Sequence, residues 1–446
     1  MLTHPLERAR AARGWSRAEM AGKLCKLGAR RGIAVGTGKD GIWRWEHGRH
    51  PDQLAQSLIA DLLGIPQAAV DERSWPQWLS ADPAQQPPRY TWDPAGAVAA
   101  LDELTRSRDM DRRNFILVTG SALTASLLSW LTSDPAAAGQ IAGGRRIGEA
   151  AVDHIERRVR ELRHIDDTDG GGQLIAEASA SLDMVVTLLK DRTYTDAQGS
   201  RLHAAAADFA RMRAWAAFDV HDVCADTAFD GALRAAHAAS DPALGAHILA
   251  FWSIAAHNCD RPADAEAMTA AALAAVRGCT TPRVEAMLYS RRARARAHLR
   301  DTACWNDLGR AADLLDSCAG GHDDDPEWVY WFDRSELLGT VASTHLDFDQ
   351  PKQAEHAFMQ AAALFPQDRV RTHALFLVRQ ADAQWRQNDL ERACATAGRA
   401  LDLTAEISSH RSTGPLRELS AKMTTHDAIP AVRDFRERAA AMLNVA

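Results

Sequence analysis

The chain has 446 residues, of which 46% are hydrophobic and 25% are charged, a composition typical of a soluble globular protein with two or three domains. Alanine is abundant and sustained period-two alternation is lacking, which argues against a β-sheet protein and indicates an all-α fold. The formal net charge is −7, but residues 1–50 carry +7 and the remainder −14. This asymmetry predicts a small basic, phosphate-binding head on an acidic body.

The chain opens with two predicted short amphipathic helices. The first begins near Leu6. Ser16 and Glu19 then have the spacing of a capping box, in which the serine oxygen and the glutamate carboxylate each accept a backbone N–H. Four apolar residues follow at helical spacing: Met20, Ala21, Leu24 and Leu27. The sequence therefore predicts a second helix that begins beside Ser16.

A third helix is predicted before Gly48, because glycine readily takes the left-handed conformation that ends a helix. Ile42, Trp45 and Glu46 fall on one side of it and should point into the head. Four residues fall on the remaining faces: Lys39, Asp40, Trp43 and Arg44. A recognition helix in a DNA major groove has this layout, although a short amphipathic helix with an aromatic core would have it too.

This order of elements closely resembles the lambda-repressor-like, or XRE-type, helix-turn-helix domain over roughly the first 66 residues. The matching residues are Leu6, Arg10, Gly14, Ser16, Glu19, Met20, Ala21, Ile42, Trp45, Glu46, Gly48, Pro51 and the ending at Leu62, Leu63, Gly64 and Ile65. The sequence departs from the compact family pattern by 11 inserted residues, which fall within residues 26–38.

The resemblance implies that the head binds double-stranded DNA. The exposed side of the third helix then predicts base contacts from four residues: Lys39, Asp40, Trp43 and Arg44. Phosphate contacts are predicted for Arg10, Arg17 and Arg49. Because such heads read two half-sites, a homodimer is expected, with its contact within residues 94–165.

The composition predicts four segments. These are a helix-turn-helix domain at residues 1–80, a linker at 81–93, connecting or dimerisation helices at 94–170, and a repeat domain at 171–446. The connecting helices are expected at 94–107, 111–132 and 145–165. The last one carries a coiled-coil-like seam of Gly148, Val152, Ile155, Val159 and Leu162, which suits either a dimer contact or packing within one chain.

The rest of the chain repeats a pattern in which one small residue is followed seven positions later by another. The pairs are Ala225/Ala232, Ala265/Ala272, Cys304/Ala311, Ala354/Ala361, Ala393/Ala400 and, more loosely, Val432/Ala439. Their first members are 40, 39, 50, 39 and 39 residues apart. Residues 388–393 and 400–401 most closely resemble tetratricopeptide repeats. The resemblance implies a right-handed α-solenoid of stacked helical pairs.

The first helices of such pairs would line a concave face. Counting back from the small residues predicts six ligand-facing side chains: His257, Tyr289, Arg296, Ser343, Asp382 and Trp385. A solvated face, or aromatic residues packed between repeats, is the alternative. The Arg-Ala alternation at residues 291–296 is predicted to be a solvated helix rather than an anion site.

Neither a phosphate-binding loop nor a nucleophile motif is present, so the protein is not expected to be an enzyme or to hold a cofactor. His221 and Cys224 have no second ligand pair, so no metal site is expected. Scattered cysteines predict reduced thiols in the cytoplasm. Arg112 and Arg113 precede an apolar run like that of an export signal, but a buried helix without membrane or export function is expected.

Head and body together resemble actinobacterial XRE/tetratricopeptide regulators, and more loosely the peptide-pheromone receptors of Gram-positive bacteria. The resemblance implies a transcription factor whose body binds a peptide, small-molecule or protein effector. The alternative is an adaptor whose head no longer reads DNA. The basic head favours the regulator, whereas the insertion and the bulky Trp43 favour the adaptor.

Overall fold

The structure is a computed structural model. It describes residues 4–11, 13, 15–30, 33, 35–65, 70, 74–81, 90–106, 120–133, 146–168, 171–221, 225–318, 324–365, 369–404 and 410–443. These residues form 20 α-helices and no strand, which confirms the all-α prediction. One isolated bridge joins Arg146 to Thr193.

Four helices and one short 3-10 helix form the head. They are α1 (Pro5–Ala11), α2 (Arg17–Arg30), α3 (Lys39–Glu46), α4 (Gln53–Leu63) and the 3-10 helix Gln77–Ala81. Trp75, Trp78 and Leu79 are buried in the same apolar core as Trp45. The segment at residues 75–79 therefore closes the head against α1.

The remaining described helices form the body. They are α5 (Pro94–Arg106), α6 (Gly120–Thr132), α7 (Glu149–Thr168), α8 (Gly171–Asp191), α9 (Asp196–His221), α10 (Asp226–Ala238), α11 (Pro242–Asn258), α12 (Pro262–Ala275), α13 (Pro282–His298), α14 (Cys304–Ser317), α15 (Arg334–Asp347), α16 (Pro351–Leu364), α17 (Val370–Arg386), α18 (Leu390–Thr404), α19 (His410–Lys422) and α20 (Pro430–Leu443).

Five tight turns between consecutive body helices share one backbone geometry. In each turn one residue has a positive φ of 56° to 65°. The next N–H donates to the carbonyl five residues earlier, as Asp301 does to Arg296 at 2.9 Å. This bond satisfies a carbonyl that the helix end would leave unpaired. The left-handed residues are Ser240, Asp260, Arg300, Asp349 and Asn388.

The small residues identified in the sequence lie where paired helices approach each other. All twelve are buried, each with at most 2% of its surface exposed. They lie in alternate body helices, with Ala225 directly before α10, and these helices pack against the helices on either side of them in the chain. The body is therefore built of helical repeats, as predicted, while the right-handed solenoid stays a prediction.

The connecting helices share one apolar core with the repeats. A continuous cluster runs from Leu101 in α5 to Leu337 in α15. The seam residues Val152, Ile155 and Val159 are buried within it. Of the two interpretations of this seam, packing within one chain is therefore the one observed, and the seam is not free to join two chains.

The body also curls back on itself. Helix α17 packs against α7, and α19 packs against α9. An ion pair 3.4 Å long joins Arg371, in α17, to the buried Asp219, in α9. The first helices of several repeats thus surround a common interior space.

The cysteines differ in part from the expectation of reduced thiols. Cys259 is disulfide-bonded, which corrects that expectation. Five others are free thiols: Cys25, Cys279, Cys304, Cys318 and Cys394. Cys224, considered above as a metal ligand, lies outside the described residues. The described residues contain no cluster of metal-ligating side chains.

One described helix, α8, is long and apolar enough to span a membrane by length and composition, with 39% of its apolar window buried. Its buried residues, among them Leu174, Leu182 and Val186, belong to the body core. Core helices of soluble proteins pass the same test. Arg112 and Arg113, for which no export role was expected, lie outside the described residues.

Replacing Ala272 with leucine should destabilise the body, because Ala272 is fully buried between helices. Overpacking of this kind costs about 1–3 kcal/mol, so the melting temperature should fall by several degrees. The matched control is Ala274→Leu, two residues along the same helix at an exposed position. Calorimetry showing equal melting temperatures for the two variants would contradict the close approach of the helices.

Candidate functional site

Helix α3 presents two different faces. Ile42, Trp45 and Glu46 are buried against the head, as predicted. Trp43 is 48% exposed, and its ring stacks on that of His47 at a centroid distance of 4.2 Å. The Arg44 guanidinium is exposed and donates from Nε to the Asp40 carbonyl at 3.2 Å. The stacked Trp43–His47 pair, which sequence reasoning missed, could have been found from the four-residue spacing.

The predicted phosphate-contacting residues lie in two environments. Arg49 is exposed beside α3. Arg10 donates to the Glu46 carboxylate at 2.7 Å and to the Trp15 carbonyl at 2.6 Å, and its side chain is 13% exposed. Arg17 donates to the other Glu46 oxygen at 2.5 Å and is 36% exposed. A phosphate contact by Arg10 would require it to leave Glu46.

This triad fixes the position of α3. Glu46 has no exposed side-chain surface, and it joins α3 to Arg10 in α1 and to Arg17 in α2. A buried carboxylate without such partners would be costly. Two residues predicted to contact DNA phosphates therefore hold α3 in place.

The described residues of the insertion that follow α2, which are Ile33 and residues 35–38, fold back onto α2. The Cys25 thiol donates to the Val35 carbonyl at 3.2 Å. Ile33 and Val35 are partly buried against the head core. A Cβ on Gly28 would lie 2.8 Å from the Ile33 carbonyl oxygen, so a larger residue there would push the segment away.

The head touches the body through two lysines of α2. Lys23 Nζ donates to the Asp260 carbonyl at 2.7 Å, and Lys26 Nζ donates to the Asp260 carboxylate at 2.9 Å. Burial lowers the pKa of Lys23, although the Asp260 carboxylate acts against this effect. Asp260 is the left-handed residue of the turn between α11 and α12.

A cavity of about 1130 Å³, mouth included, lies inside the curled body. Its walls come from α7, α9, α11, α13, α15 and α17, together with residues 328–331. Four of these helices, α11, α13, α15 and α17, are first helices of the hairpins. The first helices of the pairs were predicted to carry the ligand, and this cavity lies on the side that those four helices share.

The cavity lining is strongly basic. One carboxylate, Glu336, faces seven guanidinium groups: Arg163, Arg211, Arg291, Arg294, Arg369, Arg371 and Arg379. Several of these bind carboxylates behind the wall, as Arg163 and Arg211 bind Asp208. Burial alone would raise the pKa of Asp208, but these two guanidinium groups outweigh it and hold the pKa near 2.

Two buried histidines line the same cavity with unpartnered ring nitrogens. Neither nitrogen of His247, nor Nδ1 of His257, has a hydrogen-bond partner among the described residues. Burial lowers the pKa of both imidazoles well below its usual range, and nearby arginines lower it further. Both rings are therefore neutral at physiological pH and able to donate or accept a hydrogen bond.

Aromatic rings form the rest of the wall. Trp328 stacks on His247 at a centroid distance of 4.1 Å, and Arg291 lies 5.0 Å above the Trp331 ring. Arg211 lies 4.6 Å from the Phe251 ring centroid. The cavity thus combines flat apolar surfaces with cationic edges.

Of the six predicted ligand-facing residues, the structure brings only His257 to the cavity lining. Ser343 and Asp382 lie on the lining stripes of α15 and α17, beyond the cavity residues Thr340 and Arg379. Ser343 accepts from Arg379 at 2.8 Å, and Asp382 accepts from Lys422 at 2.9 Å.

The other three predicted residues lie elsewhere. Tyr289 packs under Arg292, and Trp385 packs under Lys422. Arg296 binds Asp307, in α14, at 2.9 Å. The expectation of a solvated arginine helix was wrong, because this helix instead divides its arginines between the cavity and Asp307.

The head is similar to a known sequence family: residues 6–67 match the SP15 N-terminal domain. No curated protein matches the chain. Four solved chains match it, among them the crystal structure of BtubC (BKLC) from P. vanneervenii. That match has 13% identity and a TM-score of 0.33, and covers 58% of this chain and 91% of that chain. A similarity at this level supports no inference about function.

Replacing Glu46 with glutamine should loosen α3, because Arg10 and Arg17 lose their shared carboxylate. Breaking a buried pair costs about 3–5 kcal/mol, and the partial exposure of Arg17 reduces the expected loss to about 2–4 kcal/mol. Amide hydrogen exchange in α3, followed by mass spectrometry, measures this local stability. Glu7→Gln, which removes a weaker contact 3.9 Å from Arg17, is the control and should change exchange little.

Proposed function

We propose that this protein is a sequence-specific DNA-binding transcriptional regulator whose helical body binds an effector. One observation carries the proposal: α3 buries Ile42, Trp45 and Glu46 while it leaves Trp43 and Arg44 exposed. A helix held in this way can enter a major groove with its outward side chains at the base edges. The basic head, at +7 over residues 1–50, supplies attraction to phosphates.

The resemblance to XRE-type heads supports the same proposal, and the resemblance of the body to tetratricopeptide repeats supports an effector-binding role.

The contact between head and body offers a route between the two sites. His257 and Asn258 line the cavity, and Asp260 follows in the turn that holds Lys23 and Lys26. An effector that displaces the end of α11 would therefore change how the head is held.

A second candidate function is that of an adaptor whose head binds a protein. The observation in its favour is that Arg10 and Arg17 bind Glu46 while Lys23 and Lys26 bind Asp260. Fewer cations then remain for phosphate. An exposed tryptophan such as Trp43 is also a common anchor in protein interfaces.

The DNA-binding proposal predicts different effects for two arginines of the head. Arg44→Ala should relax sequence preference by about 1–3 kcal/mol, because a base contact discriminates among sequences. Arg49→Ala should weaken binding to all DNA sequences alike. It should also reduce the slope of log affinity against log salt concentration by about 0.9. Binding fragments are first selected from genomic DNA, and fluorescence anisotropy then compares them with scrambled duplexes at several salt concentrations.

The control for both variants is Arg433→Ala, an exposed arginine in α20 whose loss should change neither quantity. Circular dichroism verifies that the head stays folded. If the folded protein selects no fragment, or if Arg44→Ala and Arg49→Ala bind DNA like the parent chain, the adaptor replaces the regulator.

The proposal also includes a homodimer in the cytoplasm, since two-fold symmetric heads read two half-sites. Once the mass of the duplex is subtracted, light scattering of the complex with operator DNA should give about twice the chain mass of 48.6 kDa. Because the α7 seam is buried, Val152→Ala should lower stability without shifting the dimer equilibrium. A monomeric complex on a single half-site would contradict the dimer.

A further inference from the structure

We propose that the body cavity binds a small planar aromatic molecule that carries a phosphate or carboxylate group. The proposal names the effector class and rests on the effector-binding part of the proposed function. It does not depend on DNA binding, so it is tested without DNA.

The anionic group is inferred from the charges of the wall. Seven guanidinium groups and one carboxylate line the cavity in a protein whose net charge is −7. Guanidinium groups bind phosphates and carboxylates through two parallel hydrogen bonds. The partner carboxylates, such as Asp208, Asp219 and Asp347, lie behind the arginines rather than in the lining.

The unpartnered polar atoms mark where such a group would bind. The Nε of Arg291 has no hydrogen-bond partner among the described residues, and neither has either ring nitrogen of His247. Unpaired buried polar atoms cost stability, so a folded protein that retains several of them around one cavity is arranged for a partner. His247 and Arg291 lie on the adjacent helices α11 and α13.

The planar ring is inferred from the aromatic residues. Six of them line the cavity: Trp215, Phe251, Trp328, Tyr330, Trp331 and Phe376. Flat rings and arginine planes stack favourably on other planar rings. A ligand ring stacked between these aromatic side chains would leave its charged substituent beside the guanidinium groups of the cavity.

The size of the space favours a small molecule over a peptide. The space of about 1130 Å³ includes the open solvent at its mouth, so the enclosed part that a ligand would occupy is smaller. Helices enclose it on several sides, since α7 and α9 close against α17 and α19. An extended peptide needs an open groove along the repeats, which this closure interrupts.

The experiment uses matched probes in isothermal titration calorimetry on the full chain. Adenosine 5′-monophosphate and indole-3-acetate carry a ring with a phosphate or a carboxylate. Adenosine and indole-3-ethanol are their neutral counterparts, and inorganic phosphate has no ring. At least one ring-bearing anion should bind about tenfold or more tightly than its neutral counterpart and than phosphate. The two anionic probes distinguish a phosphate from a carboxylate.

Three variants connect this binding to the cavity. Arg291→Met should lower the affinity for the anionic probe about 10- to 100-fold, because it removes a charged hydrogen-bond donor. His247→Phe keeps the stack on Trp328 but removes both nitrogens, and should weaken binding about three- to tenfold. Arg310→Met is the control, at an exposed position on α14, and should bind like the parent chain.

A stability measurement separates a binding role from a structural one. Arg291→Met removes a buried guanidinium whose Nε has no hydrogen-bond partner among the described residues and places a thioether on Trp331, so its melting temperature should equal or exceed that of the parent chain. A structural arginine would lower the melting temperature.

The proposal is overturned if no anionic probe binds at millimolar concentration, or if the neutral probes bind as well as the anionic ones. It is also overturned if the peptide hexaglutamate binds more tightly than any ring-bearing probe. The fourth contrary result is that the control variant weakens binding of the anionic probe as much as Arg291→Met does. If both cavity variants fail to weaken the anionic probe, the assignment to this cavity is wrong even though the protein binds anions. None of these results bears on Arg44 and DNA.

Discussion

The close approach of paired helices is the constraint on which the body depends. Buried alanines such as Ala265 and Ala272 leave too little room for a larger side chain, and each left-handed turn reverses the chain within a few residues. Hairpins built in this way keep their first helices on a common side. For this reason side chains from α11, α13, α15 and α17 meet at one cavity although up to about 130 residues separate them.

The lining of that cavity is positively charged, whereas the protein as a whole carries a net negative charge. Carboxylates behind the cavity lining, most clearly Asp208, offset the desolvation cost of several buried guanidinium groups. The low pKa of Asp208 keeps its carboxylate charged. Burial holds the pKa of His247 and His257 well below the usual range, and the inward-facing guanidinium groups lower the pKa further, so both imidazoles stay neutral. The result is a basic interior within an acidic body, an arrangement whose desolvation cost an anionic ligand would offset.

The head uses its own charges in a comparable way. Glu46 joins three helices through Arg10 and Arg17, and thereby fixes which side of α3 faces outward. Two further cations of α2 bind the body at Asp260, next to residues of the cavity wall. The cavity wall and the contact with the head are therefore joined by one turn of the chain, which is the route by which the proposed effector would act on the head.

The sequence by itself determined the features that depend on local spacing. The Ser16–Glu19 capping box, the buried side of α3 and the small-residue repeat are all present as predicted, because each follows from the period of a helix. Sequence also grouped the first helices of the pairs on one side, and four of them line the cavity. Only the tertiary structure decided the role of individual charges. Arg291 reaches the cavity while Arg296, on the same helix, binds Asp307, because the rotation of α13 is set by its packing against α12 and α14. Arg10 likewise became a partner of Glu46 because folding brings positions 36 residues apart into contact.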